Sequence, residues 1–452
     1  MKIFQSVNPY TGNVIAEYEQ LSDAALQQKI DLSASAFRHW RTTSFEQRAA
    51  VIIRMGELLR ERKETLAHLM TAEMGKVLAE SRAEIEKSAA NCDYYAANAQ
   101  AMLQDEIVPI AGLKSSIVYD PIGCLFAVMP WNFPLWQILR YAAPALMAGN
   151  VTILKHAPNV FGCAAAIEQL FLEAGLPEGC FQSVVIDVPQ VEQLIAADIV
   201  QGITLTGSEQ AGSSVGALAG KHIKKAVLEL GGSDAFLVLA DADIEKAAKV
   251  ATTSRMINAG QACNGAKRFM IQSAVYEQFI HEFQKNIAAL NQGNPVADNI
   301  QLGPLARPDL AQNLDKQLQM ALQQGAHLAL GGQHNDCNFA PTLLTDVTEN
   351  MVVFQEETFG PLACVSVFDD LNDAIDIANR HRYGLAAAVW TQDEDRAYHV
   401  ARQLEVGNVF VNSIVRSDSR LPFGGIKKSG FGRELSGIGI REFMNVKTLV
   451  ME

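Results

Sequence analysis

Cys263 stands within NAGQACNGAKR, residues 258–268, between Gly260 and Gly265 and beside small or amide side chains. A cysteine thiolate is the strongest nucleophile the side chains offer, and glycines allow backbone to approach a bound molecule. A free cysteine is as often a small buried hydrophobe, so this stretch by itself leaves both readings open. Glu229 lies among Leu228, Leu230, Gly231 and Gly232. Burial in such surroundings raises a carboxyl pKa toward the range of a general base. Asn132, between Trp131 and Pro134, is either a turn residue or a carboxamide donor. Arg140 follows Trp136 by four residues. On a helix starting near Leu135 the two share a face, and a guanidinium fork suits a carboxylate.

The elements that must position these groups belong to a chain of 452 residues, longer than one hydrophobic core supports, so two or more domains are expected. Residues 22 to about 103 read as helical. Ser44-Phe45-Glu46-Gln47 has capping-box spacing, and Val51, Met55, Leu58 and Leu59 recur at helical intervals. Residues 106–119 read as an extended arm. From Pro121 short apolar runs alternate with helical ones, the pattern of a parallel sheet with crossover helices, in which sites lie at the carboxyl ends of strands. A second such pattern begins at Arg268, and residues 441–452 end the chain in a strand-like segment suited to pairing with the arm.

Hydrophobic residues make up 49% and charged residues 19%, an ordinary globular balance. The formal charge of -13 disfavours nucleic acid and anionic membranes as partners. Seven cysteines with no CxxC pair fit a reducing compartment and point to no metal site. With neither a secretory signal pattern nor a membrane-length apolar run, a soluble cytoplasmic protein is expected.

Seven motifs stand in order: Pro130-Trp131-Asn132-Phe133-Pro134; Leu154-Lys155; Thr206-Gly207-Ser208; Leu228-Glu229-Leu230-Gly231-Gly232; Gly260-Gln261-Ala262-Cys263; Glu356-Glu357-Thr358-Phe359-Gly360-Pro361; and Pro422-Phe423-Gly424-Gly425. In these motifs and their spacing the whole chain resembles the aldehyde dehydrogenase superfamily. The resemblance implies an α/β fold of two domains, one Rossmann-like for the cofactor and one catalytic, with a small bridging or oligomerisation arm. The expected division places residues 1–105 and 120–229 in the cofactor domain and 230–430 in the catalytic domain. Residues 106–119 and 431–452 then form the bridging element, and a homodimer or homotetramer is expected.

By the same resemblance Cys263 is the nucleophile that attacks an aldehyde. Asn132 and the Cys263 N–H hold the oxyanion, and Glu229 activates the water that releases the acid. The implied cofactor is NAD or NADP. No GxGxxG is present; Gly207, Ser208 and Gly212 stand instead between the strand GITLT and a helix, whose N-terminus can receive a pyrophosphate. Trp131, Lys155, Leu230, Glu357 and Phe359 match the remaining cofactor positions. Where NAD-preferring relatives often carry a glutamate three residues after the lysine, this chain has Pro158, which removes a barrier to NADP.

Arg140 stands where succinate-semialdehyde dehydrogenases carry an arginine for the substrate's remote carboxylate. The loop at 412–422 resembles the pocket-closing segment of short, bacterial-type members. Trp136, Arg140, Arg416, Ser417 and Ser419 are therefore the expected substrate contacts, and Arg140→Ala is expected to weaken succinate semialdehyde while sparing butyraldehyde. Another semialdehyde or an aliphatic aldehyde is the nearest alternative. A non-catalytic dinucleotide-binding protein of the same fold is the alternative of a different class.

Overall fold

The computed structural model describes residues 2–452. The helical block divides into α1 (Asp23–Trp40), α2 (Phe45–Glu61), α3 (Lys63–Met74) and α4 (Leu78–Met102). Helix α2 begins as its sequence demands: the Ser44 side chain takes the Gln47 N–H, and the Gln47 side chain takes the Ser44 N–H. Helix α4 is pinned by buried carboxylates rather than by a terminal cap. Glu84 accepts the N–H groups of Leu135 and Trp136, both at 2.9 Å, at the start of α5 (Trp136–Met147), where a negative charge complements the helix dipole.

The first sheet contains β1 (Cys124–Met129), β2 (Val151–His156), β3 (Phe181–Ser183), β4 (Val200–Thr206) and β5 (Lys225–Glu229). They are parallel in the order 3-2-1-4-5, with the short strand Gly430–Phe431 antiparallel beyond β5. The strand order reverses between β1 and β4, and a crevice opens outside the carboxyl ends at such a switch point. Trp131 and Asn132 follow β1 there, and Gly207 and Ser208 follow β4 into α6 (Glu209–Lys221).

The second sheet has β6 (Asp234–Val238), β7 (Ala266–Gln272), β8 (His327–Leu330), β9 (Thr342–Thr345), β10 (Leu362–Phe368), β11 (Ala386–Trp390) and β12 (Asn408–Val411). Their order is 8-9-10-7-6-11-12, with only β8 antiparallel. Each sheet has its own apolar core, and Cys263 packs at the margin of the first. It precedes β7, so it stands at the amino end of the second sheet.

The arm strand Lys114–Pro121 pairs along its length with Met444–Met451, and Glu106–Ile107 pairs on its other side. Among the described residues no helix is long and apolar enough to cross a membrane.

Candidate active site

The segment before Cys263 is bent against its own preference. Asn258 and Ala259 (both φ 52°) and Gly260 (φ 74°) lie in the left-handed region, which L side chains rarely adopt. At Gly260 only glycine fits, because a Cβ would stand 2.1 Å from the Gly360 carbonyl oxygen. Such strain persists where surrounding contacts over-determine it, and here they come from charged side chains. Glu80 on α4 accepts the Asn258 N–H at 3.0 and 3.1 Å. Fully buried Arg255, at the end of α7 (Ile244–Met256), donates to the carbonyls of Gly260 and Ala266. Lys267 donates to the carbonyls of Ala262 (3.0 Å) and Cys263 (2.8 Å) and pairs with Glu357 at 3.1 Å.

Cys263 is thereby presented, partly exposed, to a cavity of about 320 Å³. The other six cysteines are buried. Burial pushes the Cys263 thiol up to about 11, opposed by the positive charges of Lys267 and Arg140. Asn132 adjoins the same loop: its Nδ2 donates to the Gln261 carbonyl at 3.0 Å, and its own carbonyl accepts from Asn258 Nδ2 at 2.7 Å. One hydrogen of the Asn132 carboxamide stays free, and the Cys263 N–H donates to no group among the described residues.

Glu229 ends β5, almost wholly buried, and Oε1 has no hydrogen-bond partner. It does not line the Cys263 cavity. Its carboxylate lies toward Gly424, where a Cβ would come within 2.6 Å of Oε1. Burial holds the carboxyl well above its ordinary range, and the neighbouring Glu434 adds to the effect.

Of the expected substrate contacts, Trp136, Arg140, Arg416 and Ser417 line the cavity with Cys263. Ser419 does not, because its hydroxyl donates to Asn91 Oδ1 at 2.7 Å and is used inside the protein. Arg140 is engaged as well. It pairs with buried Glu434 and donates to Thr206 Oγ1 at 3.1 Å, leaving Nε unpartnered.

Lys155, next to last in β2, is partly buried, with no ion pair among the described residues, and burial lowers its pKa. Gly207 is hemmed in by nothing closer than 3.6 Å, and the Ser208 side chain caps α6 through the Ala211 N–H. An open turn at a helix N-terminus suits a phosphate group, and Lys155, on the far side of β1 in the same sheet, offers an ammonium without an ion pair among the described residues. Gly212 is not part of that opening: it is buried against Leu230, whose Cδ2 would stand 2.4 Å from an added Cβ. Phe359 meets Trp131 edge-on at 5.7 Å. Glu357 takes the Gly232 N–H at 3.1 Å besides its lysine. Among the described residues no cluster of His, Cys, Asp and Glu could hold a metal.

Sequence reasoning missed Glu80, Lys87, Arg255, Lys267 and Glu434. Glu80, Ala83, Glu84 and Lys87 recur at helical spacing and all line the cavity, yet charges at that spacing also describe a solvated helix face.

Residues 1–449 match the Aldehyde dehydrogenase family. A probable NADP+ succinate-semialdehyde dehydrogenase of Synechocystis sp. is 45% identical over 447 residues, 98% of each chain. A succinate semialdehyde dehydrogenase of Escherichia coli, named for NAD(P)+, is 44% identical over 98% of this chain and 97% of its own. The solved succinic semialdehyde dehydrogenase of Streptococcus pyogenes in complex with NADP+ has a TM-score of 0.96 at 35% identity over 99% of both chains. With this coverage, the chain belongs to the aldehyde dehydrogenase family.

Proposed function

We propose that this protein oxidises succinate semialdehyde to succinate with NADP+ or NAD+. The observation that carries the reading is a thiol opening onto a cavity lined by Lys87, Arg140 and Arg416, of which Lys87 and Arg416 have no ion pair among the described residues. An aldehyde bearing a remote carboxylate matches that lining, and the names of the relatives support the same substrate.

Cys263 gives up its thiol proton to solvent and adds as the thiolate to the aldehyde carbon, and the free hydrogen of the Asn132 carboxamide and the Cys263 N–H receive the oxygen as its charge develops. NAD(P)+, when bound at the crevice, supplies the acceptor for the hydride. The acyl group left on Cys263 is a thioester, released by a water whose proton passes to Glu229. A carboxyl held above its usual pKa is a better proton acceptor near neutrality. From its position toward Gly424 the side chain must turn to reach that water. Lys155 serves the adenosine ribose, the turn at Gly207 and Ser208 the phosphates, and Trp131, Glu357 and Phe359 border the nicotinamide side.

The protein is further read as a dimer or tetramer. Met444–Met451 pairs on one side only and exposes Val446, Leu449, Val450 and Met451, an open apolar edge that folded proteins ordinarily cover. Size-exclusion chromatography with light scattering tests this; a monomer would exclude it.

The activity is tested by following reduced dinucleotide with succinate semialdehyde, glutarate semialdehyde and butyraldehyde, each with NAD+ and NADP+. Succinate semialdehyde is expected to give the highest kcat/KM. Equal values for butyraldehyde would remove the substrate assignment and leave the aldehyde chemistry standing.

A further inference from the structure

The charges around the Cys263 cavity are unevenly matched. Glu84 is taken up by two backbone N–H groups and by Lys76. Glu80 is taken up by the Asn258 N–H, and Arg140 by Glu434 and Thr206. Two lining cations remain without an ion pair among the described residues. Arg416 is exposed at the loop, whereas Lys87 is partly buried, one turn along the cavity face of α4 from Glu84.

The Lys87 ammonium is held by neutral groups. It donates to Ser417 Oγ at 2.7 Å and stands 4.1 Å from the centroid of the Trp136 ring. An ammonium has three N–H donors, so two remain for a ligand. We propose that Lys87, steadied by Ser417 and Trp136, is the principal receptor of the substrate's remote carboxylate. The inference rests on the semialdehyde reading above and names the group that enforces it.

Burial lowers the Lys87 pKa to about 8, and Arg140 and Arg416 push the same way while Glu84 and Asp418 oppose them. A bound carboxylate favours the charged form and raises that pKa. Binding of a carboxylate substrate is therefore complete below pH about 8 and is lost as the pH rises beyond it. An uncharged aldehyde of the same length has no such dependence.

The test measures kcat/KM for succinate semialdehyde relative to butyraldehyde between neutral and alkaline pH, in the wild-type enzyme and in Lys87→Met and Lys87→Arg. In the wild type this ratio is expected to fall above pH about 8. In Lys87→Met it is expected to be lower by roughly 10- to 100-fold, the loss of one charge-assisted hydrogen bond, and independent of pH. Lys87→Arg is expected to retain most of the ratio without the alkaline fall. A ratio and pH dependence unchanged in Lys87→Met would overturn the role of Lys87 alone. A wild-type enzyme with no preference for succinate semialdehyde would overturn the substrate reading and this inference with it. Should Lys87→Met fold poorly, a flat wild-type profile or an alkaline fall persisting in Lys87→Arg refutes the inference independently.

Discussion

Arg140 and Glu434 face each other at 2.5 Å with side chains only 3% and 5% exposed. The pair joins two functions. Arg140 lines the cavity that holds Cys263, and Glu434 adds its charge to the burial that keeps the Glu229 carboxyl high.

Removing one member of a buried pair leaves the other charge without compensation, at a cost of about 3–5 kcal/mol. Arg140→Ala is therefore expected to lower unfolding stability by about that amount and to impair succinate semialdehyde and butyraldehyde together. The guanidinium is already engaged inside the protein, so the loss is expected to reach both substrates rather than the carboxylate substrate alone. Denaturant titration of the variant checks it. Wild-type stability with a loss confined to the carboxylate substrate would show that the pair contributes little.

Glu229→Gln keeps the shape of the side chain and cannot take a proton. The first turnover, which ends at the acyl-cysteine, is expected to proceed, while steady-state kcat falls by roughly 10²- to 10⁴-fold. Rapid-mixing measurement of reduced dinucleotide separates the two phases. A normal steady-state rate would take Glu229 out of the mechanism.

Cys263, at about 11, is a thiol at neutral pH in the free enzyme, and only its thiolate reacts with alkylating agents. Inactivation by iodoacetamide without cofactor is expected to accelerate about tenfold per pH unit up to pH about 10. A rate already at its plateau near neutrality would mean that Lys267 and Arg140 outweigh burial.

Pro158 is exposed at the first position of a short helical turn, three residues after Lys155. No carboxylate stands there to repel a 2′-phosphate, and NADP+ is expected to be used at least as well as NAD+. Pro158→Glu is expected to raise KM for NADP+ by about tenfold or more through like-charge repulsion, with a smaller change for NAD+. Equal effects on both cofactors would place the residue away from the ribose.

Several features were legible along the chain because they are local. The capping box at Ser44 and Gln47, the start of α5 at Trp136 and the strand-to-helix turn at Gly207 depend on periodicity and on residues a few positions apart. Cys263 and Asn132 stood out only through the resemblance carried by the motifs and their order, because residue type alone left the cysteine open and suited the asparagine to a turn; for Glu229 the apolar and glycine neighbours added a local signal. Ser419 and Gly212 carried the same kind of signal, yet the fold turns the first to Asn91 and presses the second against Leu230.

The sequence by itself determined the succession of helices and strands, since backbone geometry and side-chain periodicity act over short stretches, while the motifs and their order pointed to the candidate reactive groups. Tertiary structure alone decided which charges were spent and which were left for a ligand. Asn132 meets the cysteine loop across 129 positions, and Lys87 meets Ser417 across 330. Whether a buried cation finds a carboxylate or only a hydroxyl is settled by which elements pack together, and no local pattern carries that information.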